Sequence, residues 1–357
     1  LGCGKSVPAY TVQRNCASGM QAIDSAAKDI QAGRADLVLA GGTESMSHAP
    51  VMLNDRMVAW LGRWMKARSL PQKLSALGQL RPAMLAPVIG LLRGLTDHVV
   101  GLSMGQTTEI IADRFDIDRT QMDSYAVLSH QRLAAASDAG VYAQEIVSLF
   151  DANGVAYSAD NGLRRDSSVE SLAKLHPVFD RPYGRVTAGN SAQITDGAAM
   201  LLLASDRAVK QYDLPVLGRL LDVGWAGLEP AQMGLGPVHA STPLLKQHGL
   251  SLEDIDLWEI NEAFSGQVLG CLSAWEDDDY CMQELGLERA LGQLDKKKLN
   301  IDGGAVSMGH PVGASGARLV LHLLNALKRE KKQRGIATLC IGGGQGGACL
   351  VERGDGS

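Results

Sequence analysis

Four short stretches set a reactive side chain beside residues too small to obstruct it. Cys16 lies in Asn15-Cys16-Ala17-Ser18-Gly19-Met20, Asn261 in Asn261-Glu262-Ala263-Phe264, His310 in Gly309-His310-Pro311, and Cys340 just before Gly342-Gly343-Gly344. A thiol at a helix start is a candidate nucleophile, because unpaired N–H groups and the positive end of the helix dipole favour thiolate over thiol. Ala17, Ser18 and Gly19 would let a substrate carbonyl come close to the backbone. Singly, each stretch is weak. A lone cysteine is most often buried and inert, a lone histidine is more often structural, and a glycine run is usually a turn.

The elements that must position these side chains follow from periodicity. Residues 9–12 read as a short strand ahead of Cys16, and Met20, Ile23, Ala27 and Ile30 recur at helical spacing up to a stop at Gly33. Asn261 follows a strand at 255–259 and opens a helix, while His310 closes a loop of little side-chain bulk at 303–309. Cys340 ends a strand. An internal repeat joins two of these sites: a small-residue helix start, a buried strand and a glycine turn occur at 17–42 and again at 314–343. Cys16 aligns with Gly313 and Leu39 with Cys340, so each half carries a cysteine the other lacks. A shared active site between two similar halves would require that asymmetry. The second half starts near residue 211, with its first strand at 215–223. By the same repeat, about 80 residues of the first half, ahead of Cys16, are expected to be absent from this chain.

Composition narrows the class. The 357 residues are 45% apolar and 20% charged, with a net charge of −5, so nothing in the balance points to nucleic acid. Six cysteines form no CxxC pair, which argues against structural zinc or a disulfide scaffold and suits a reducing compartment. No signal peptide or membrane span is visible, because the longest apolar run, 84–92, contains Pro87 and Gly90. The expected location is the cytoplasm or a mitochondrial-type matrix. Residues 46–165 break the repeat and read as an inserted domain. Within it, residues 52–100 carry seven Lys/Arg against Asp55 and Asp97, with Trp60, Trp64 and Leu91 interleaved. Short amphipathic helices there could meet an anionic membrane surface, a partner or a phosphorylated ligand, or form a solvated basic face. Helices are predicted at 104–115 and 119–139, and an apolar strand at 198–204. The alternation of strand and helix points to an α/β architecture.

Taken together, the four motifs resemble the thiolase family, in order and spacing, over residues 7–352. The resemblance implies a five-layer α/β/α/β/α fold of two similar halves, 1–210 and 211–357, with a loop domain inserted in the first. It implies CoA and acyl-CoA thioesters as substrates, and cleavage of a 3-ketoacyl-CoA by CoA or the reverse Claisen condensation. Cys16 would be the acylated nucleophile, His310 would take its proton, and Cys340 would exchange a proton with the acetyl-CoA carbon. Asn261 with a water and His310 would make one oxyanion hole, and the backbone N–H groups of Cys16 and Gly342 the other. Arg164 matches a position near the nucleotide of CoA. Met104, Ala188, Ala263 and Phe264 match positions around the pantetheine. No metal or redox cofactor is called for, since CoA is itself a substrate.

Two departures bear on specificity. Ser103 stands where short-chain acetyl transferases of the family carry His, and Ala192 where many members carry Ser. The basic stretch looks most like that of the β subunit of the trifunctional fatty-acid oxidation complex, although that subgroup has His at the position of Asn261. A homodimer or dimer of dimers, with an α-type subunit or a membrane meeting residues 52–100, follows from that likeness. A degradative 3-ketoacyl-CoA thiolase of β-oxidation is therefore the first reading, and an acetoacetyl-CoA-forming biosynthetic enzyme the near alternative. A non-catalytic acyl-CoA- or lipid-binding module would be expected to lack Cys16, His310 or Cys340, and all three are present.

Overall fold

The computed structural model describes residues 4–354; Cys3 lies outside them. In the first half, helix α1 (Ser18–Gln31) leads into strand β1 (Leu37–Ser45). Helices α2 (Asp55–Lys66), α3 (Leu70–Leu77), α4 (Met104–Arg114) and α5 (Arg119–Asp138) follow before strand β2 (Asp196–Ala204). The second half runs β3 (Gly218–Gly227), α6 (Gly236–Gln247), β4 (Leu257–Ile260), α7 (Ser265–Glu276), α8 (Ala305–Met308), α9 (Val312–Arg329), β5 (Arg334–Ile341) and β6 (Gln345–Arg353).

The repeat is visible in topology. β1 pairs antiparallel with β2, from Leu37 opposite Ala204 to Ser45 opposite Asp196. β5 pairs antiparallel with β6 after α9 in the same order. What differs is the connection. Gly342–Gly344 joins β5 to β6, with positive φ at Gly343 and Gly344, whereas residues 46–195 separate β1 from β2. β3 and β4 complete a four-stranded sheet in the order β3-β6-β5-β4, with β4 parallel to β5.

Helices α1 and α9 lie against each other between the two sheets. Met20, Ile23 and Ala26 of α1 meet Leu319, Val320, Leu323 and Leu327 of α9 in one core. Each fully buried leucine there contributes ~1.5–3 kcal/mol relative to exposure. α6 covers the far face of the four-stranded sheet, packing Val238, Leu244 and Leu245 with Trp258, Ile260 and Leu350. The outer face of the β1–β2 pair carries Leu37, Leu39, Met200 and Leu202 exposed.

Several local readings change. Residues 9–12 are not a strand; among the described residues only the isolated bridge of Arg14 with Cys16 lies near them, and a strand needs a neighbour to pair with. The expected turn at Gly41-Gly42 runs on as strand, because β2 extends the pairing through both glycines to Asp196. The loop at 303–309 contains the single helical turn α8. Gly19 serves packing rather than substrate approach: a Cβ there would come within 2.8 Å of the Ala317 backbone nitrogen, and one at Gly316 within 2.6 Å of that of Met20. In the basic stretch, Trp60 points inward between α2 and α3, donating its indole N–H to the Ala76 carbonyl at 2.7 Å and stacking on Trp64. No helix among the described residues is long and apolar enough to cross a membrane.

Candidate active site

Cys16 owes its orientation to the residue before it. Asn15 adopts the left-handed region at φ 47°, a conformation short polar residues tolerate. Its side-chain amide donates to the Gly342 carbonyl at 2.9 Å, which ties the start of α1 to the β5–β6 turn. The Ser18 hydroxyl donates to the Asn15 carbonyl at 2.8 Å and accepts from the Arg14 amide at 2.9 Å, closing the kink. As a result Cys16 and Gly342 stand together in one cleft, where their backbone N–H groups favour the thiolate.

The expected thiolate is not what this setting favours. Burial pushes the Cys16 thiol up to about 11; those two amides pull it down, and the nearby Glu44 charge raises it. Desolvation outweighs the helix end, so near neutrality Cys16 rests as a thiol and needs a base. Glu44 is fixed beside it, accepting from the Gly313 amide at 3.1 Å at the foot of α9.

His310 is presented by Gly309, whose φ of 102° suits only glycine and whose hydrogen faces Thr195. The ring is buried, and its tautomer follows from its partners. Ser315 Oγ donates to the Pro311 carbonyl at 2.9 Å, so its single proton is committed. It therefore accepts from His310 Nδ1–H at 2.6 Å, leaving Nε2 with a lone pair. Nε2 faces the Asn261 amide nitrogen at 3.4 Å. Burial, helped by the Arg318 charge, lowers His310 to about 4, so the ring is neutral and able to accept a proton. Asn261 has its backbone N–H on the Thr338 carbonyl at 2.9 Å, while its side-chain oxygen is buried with no protein partner and can accept a hydrogen bond from a ligand or water.

Cys340 ends β5 in a buried cluster with Ala263 and Phe264, against which Met104 packs. Burial holds its thiol well above the usual range, and charge on Cys16 or Cys271 would raise it further. Cys16, Ser18, Met104, Gly313 and Gly342 line a cleft of about 870 Å³, whose other walls include Met46, Met52, Leu91 and Leu95. Val312 and Gly313, just after His310, share that lining, whereas His310, Asn261 and Cys340 are themselves buried. A larger cavity of about 1040 Å³, between Arg132 and Lys332, contains none of the motif residues.

The remaining sequence-predicted residues are spread more widely. The Ala192 amide donates to the Ala263 carbonyl at 2.9 Å, which lays the 188–192 segment along the start of α7 and leaves Ala188 exposed. Arg164 is exposed, on a segment whose Gly162 carbonyl accepts from Gln193 Nε2 at 2.8 Å and which packs on Ser307. Among the described residues its guanidinium has no ion-pair partner. Arg164, Ala188, Ala263 and Phe264 do not line the cleft. Ser315 was missed in the sequence; its one signal is a hydroxyl one turn beyond Pro311 at the start of an apolar helix.

Family models place this site in context. Residues 1–207 match the thiolase N-terminal domain and residues 214–353 the thiolase C-terminal domain. The 3-ketoacyl-CoA thiolases of Pectobacterium atrosepticum and Yersinia pestis are each 38% identical over 356 residues, 99% of this chain and 81% of theirs. The crystal structure of human mitochondrial 3-ketoacyl-CoA thiolase in complex with CoA superposes with a TM-score of 0.83 at 36% identity, over 99% of this chain and 80% of that one. The acetyl-CoA acetyltransferase of Bacillus anthracis gives the same TM-score, 0.83, at 36% identity, with the same coverage.

Proposed function

The chain belongs to the thiolase family and is an acyltransferase acting on 3-ketoacyl-CoA and CoA; we propose that it works through an acyl-enzyme at Cys16, in the degradative direction. The observation that carries this is the Asn15 side-chain amide on the Gly342 carbonyl at 2.9 Å, which brings the Cys16 and Gly342 backbones together beside one thiol in the cleft. Such a pair of backbone amides can stabilise the oxyanion formed when that thiol adds to a carbonyl, commonly worth ~3–4 kcal/mol per donor.

In cleavage, the Cys16 proton passes to Nε2 of His310 as sulfur adds to the 3-keto carbon. The C2–C3 bond breaks and its electron pair leaves as the acetyl-CoA enolate, facing Asn261 and His310. The enolate takes its proton at C2 from the Cys340 thiol, which the buried setting keeps protonated until then. CoA thiol then attacks the acyl-Cys16 thioester, giving its proton to Cys340, and the departing Cys16 thiolate recovers its own from His310. Arg164 contacts the nucleotide end of CoA, and Met104, Ala188, Ala263 and Phe264 flank the pantetheine. The apolar cleft walls Met46, Met52, Leu91 and Leu95 favour an acyl chain longer than acetyl. Incubation with acetyl-CoA followed by peptide mass spectrometry should find the acetyl group on Cys16. Acetylation confined to Cys340 would overturn the assignment.

The partner reading rests on a different surface. Val58, Met65, Leu70, Leu74 and Leu77 are exposed beside Arg63, Lys66 and Lys73 on α2 and α3. This face suits an anionic partner, either a membrane surface or an α-type subunit, with apolar burial supplying most of the binding and charge the encounter rate. Changing Arg63, Lys66 and Arg68 to Glu should weaken sedimentation with anionic vesicles and leave acetoacetyl-CoA cleavage nearly unchanged. Undiminished sedimentation with anionic vesicles and undiminished association with an α-type subunit would together refute the docking role.

A further inference from the structure

Asn261 is fixed by its neighbours rather than by its own side chain. Asn300, at φ 46°, brackets the preceding residue: its Oδ1 accepts from the Ile260 amide and its Nδ2 donates to the Ile260 carbonyl, both at 2.9 Å. Glu262, the following residue, is almost wholly buried, yet four donors converge on its carboxylate. Oε1 accepts from the Tyr125 hydroxyl at 3.0 Å and Asn300 Nδ2 at 2.9 Å. Oε2 accepts from the Ser129 hydroxyl at 2.7 Å and the Val306 amide at 3.2 Å. These donors come from three segments: helix α5, the turn at residue 300, and the first turn of α8, which runs on to His310. A Cβ at Gly304 would stand 2.5 Å from Oε2, so that glycine is what admits the carboxylate.

The chemistry above gives Glu262 no step. We propose that Glu262 is a positioning residue, whose carboxylate locks the Asn261 loop to the turn carrying His310 and so sets the separation of those two side chains. The inference rests on the assignment of Asn261 and His310 to the enolate. An amide at this place could not serve four donors, because its NH2 would face at least two of them, and the two loops would part. A misplacement of about 1 Å at reacting groups costs up to ~100-fold in rate.

The test compares Glu262→Gln, Asn261→Ala and the double variant by solvent-deuterium exchange into the acetyl-CoA methyl group, with thermal unfolding alongside. Glu262→Gln should lower the exchange kcat by ~10- to ~100-fold with KM for acetyl-CoA little changed. The double variant should lose less than the product of the two single effects, since part of the Glu262 effect acts through Asn261. Tyr125→Phe, which removes one donor and keeps the packing, should show the same pattern at smaller size. If Glu262→Gln does not fold, this variant decides. Native exchange per folded enzyme in the variant that folds, or multiplicative effects in the double variant, would overturn the proposal. Native exchange in Asn261→Ala would instead remove the assignment on which it stands, a distinct result.

Discussion

Two histidines twelve residues apart on the same segment are both buried, yet one is neutral and the other charged. His310, just ahead of α9, hydrogen-bonds to two neutral groups, the Ser315 hydroxyl and the Asn261 amide, and burial, helped by the Arg318 charge, lowers it to about 4. His322, inside α9, lies 3.1 Å from Glu145 through Nδ1 and 3.1 Å from Asp302 through Nε2. Burial alone would lower it too, but Asp302, Glu145 and the nearby Glu259 raise it to about 9. The difference teaches that burial alone does not decide the protonation of a side chain; charged partners can outweigh it. One ring is kept neutral and free to take a proton. The other is a cation near neutral pH, holding the 141–145 segment to the helix.

Replacing each ring should therefore break different things. His310→Ala removes the base, and the rate of Cys16 acylation should fall by ~10²- to 10⁴-fold with a small change in unfolding free energy. His322→Gln leaves Glu145 uncompensated in the interior and Asp302 with Arg329 alone, and stability should drop by ~3–5 kcal/mol while kcat per folded enzyme stays near native. Rapid-quench acylation and urea unfolding on both variants check this. A large rate loss in His322→Gln at unchanged stability would erase the contrast.

A sharper form of the comparison uses pH. His322 has a folded value near 9 against ~6.5 unfolded, so its contribution is fully present below ~6.5 and is lost as pH rises through 9. His310 has a folded value near 4, so its contribution is present above ~6.5 and is lost as pH falls through 4. The groups facing His322 are Glu145 and Tyr142 from the 141–145 segment, Asp302, Glu259 of β4, and Arg318 and Arg329 of its own helix. Burial holds Glu259 up to about 7, so it weakens the fold as pH rises between ~4.5 and 7; burial also raises the Cys16, Cys271, Cys340 and Cys349 thiols, which weakens the fold further as pH rises through ~8.5, in the native protein and the variant alike. Urea midpoints should decline from pH 7 to 9.5 more steeply in the native protein than in His322→Gln, where only the thiol contribution remains. Equal slopes would contradict the assignment.

The same contrast marks what was legible in the sequence. His310 could be read because Gly309 and Pro311 flank it in a local motif, and the α1 and α9 helices because Met20, Ile23, Leu323 and Leu327 keep a 3.6-residue period. His322 could not, since its carboxylates come from residues 145, 259 and 302, which only folding brings together. Glu262 is similar: its motif was visible, but its donors at 125, 129, 300 and 306 were not. The thiolate reading of Cys16 failed for the complementary reason. A helix start is local and can be seen, whereas desolvation depends on what covers the thiol.

The smallest effect expected is also the most specific to the neutral ring. Ser315 holds His310 only through its oxygen, because its proton is spent on Pro311. Ser315→Ala removes the acceptor of Nδ1–H without disturbing α9, whose start is anchored independently by Glu44 on the Gly313 amide. The ring then loses its reason to prefer the tautomer with a free Nε2. One neutral hydrogen bond is worth ~0.5–1.5 kcal/mol, so acylation should slow by about two- to tenfold. Ser315→Thr keeps the oxygen and should restore most of the rate, which a mere packing role would not require. If alanine acylates at the native rate, the ring is oriented by Asn261 alone, and the neutrality of His310 owes nothing to the hydroxyl.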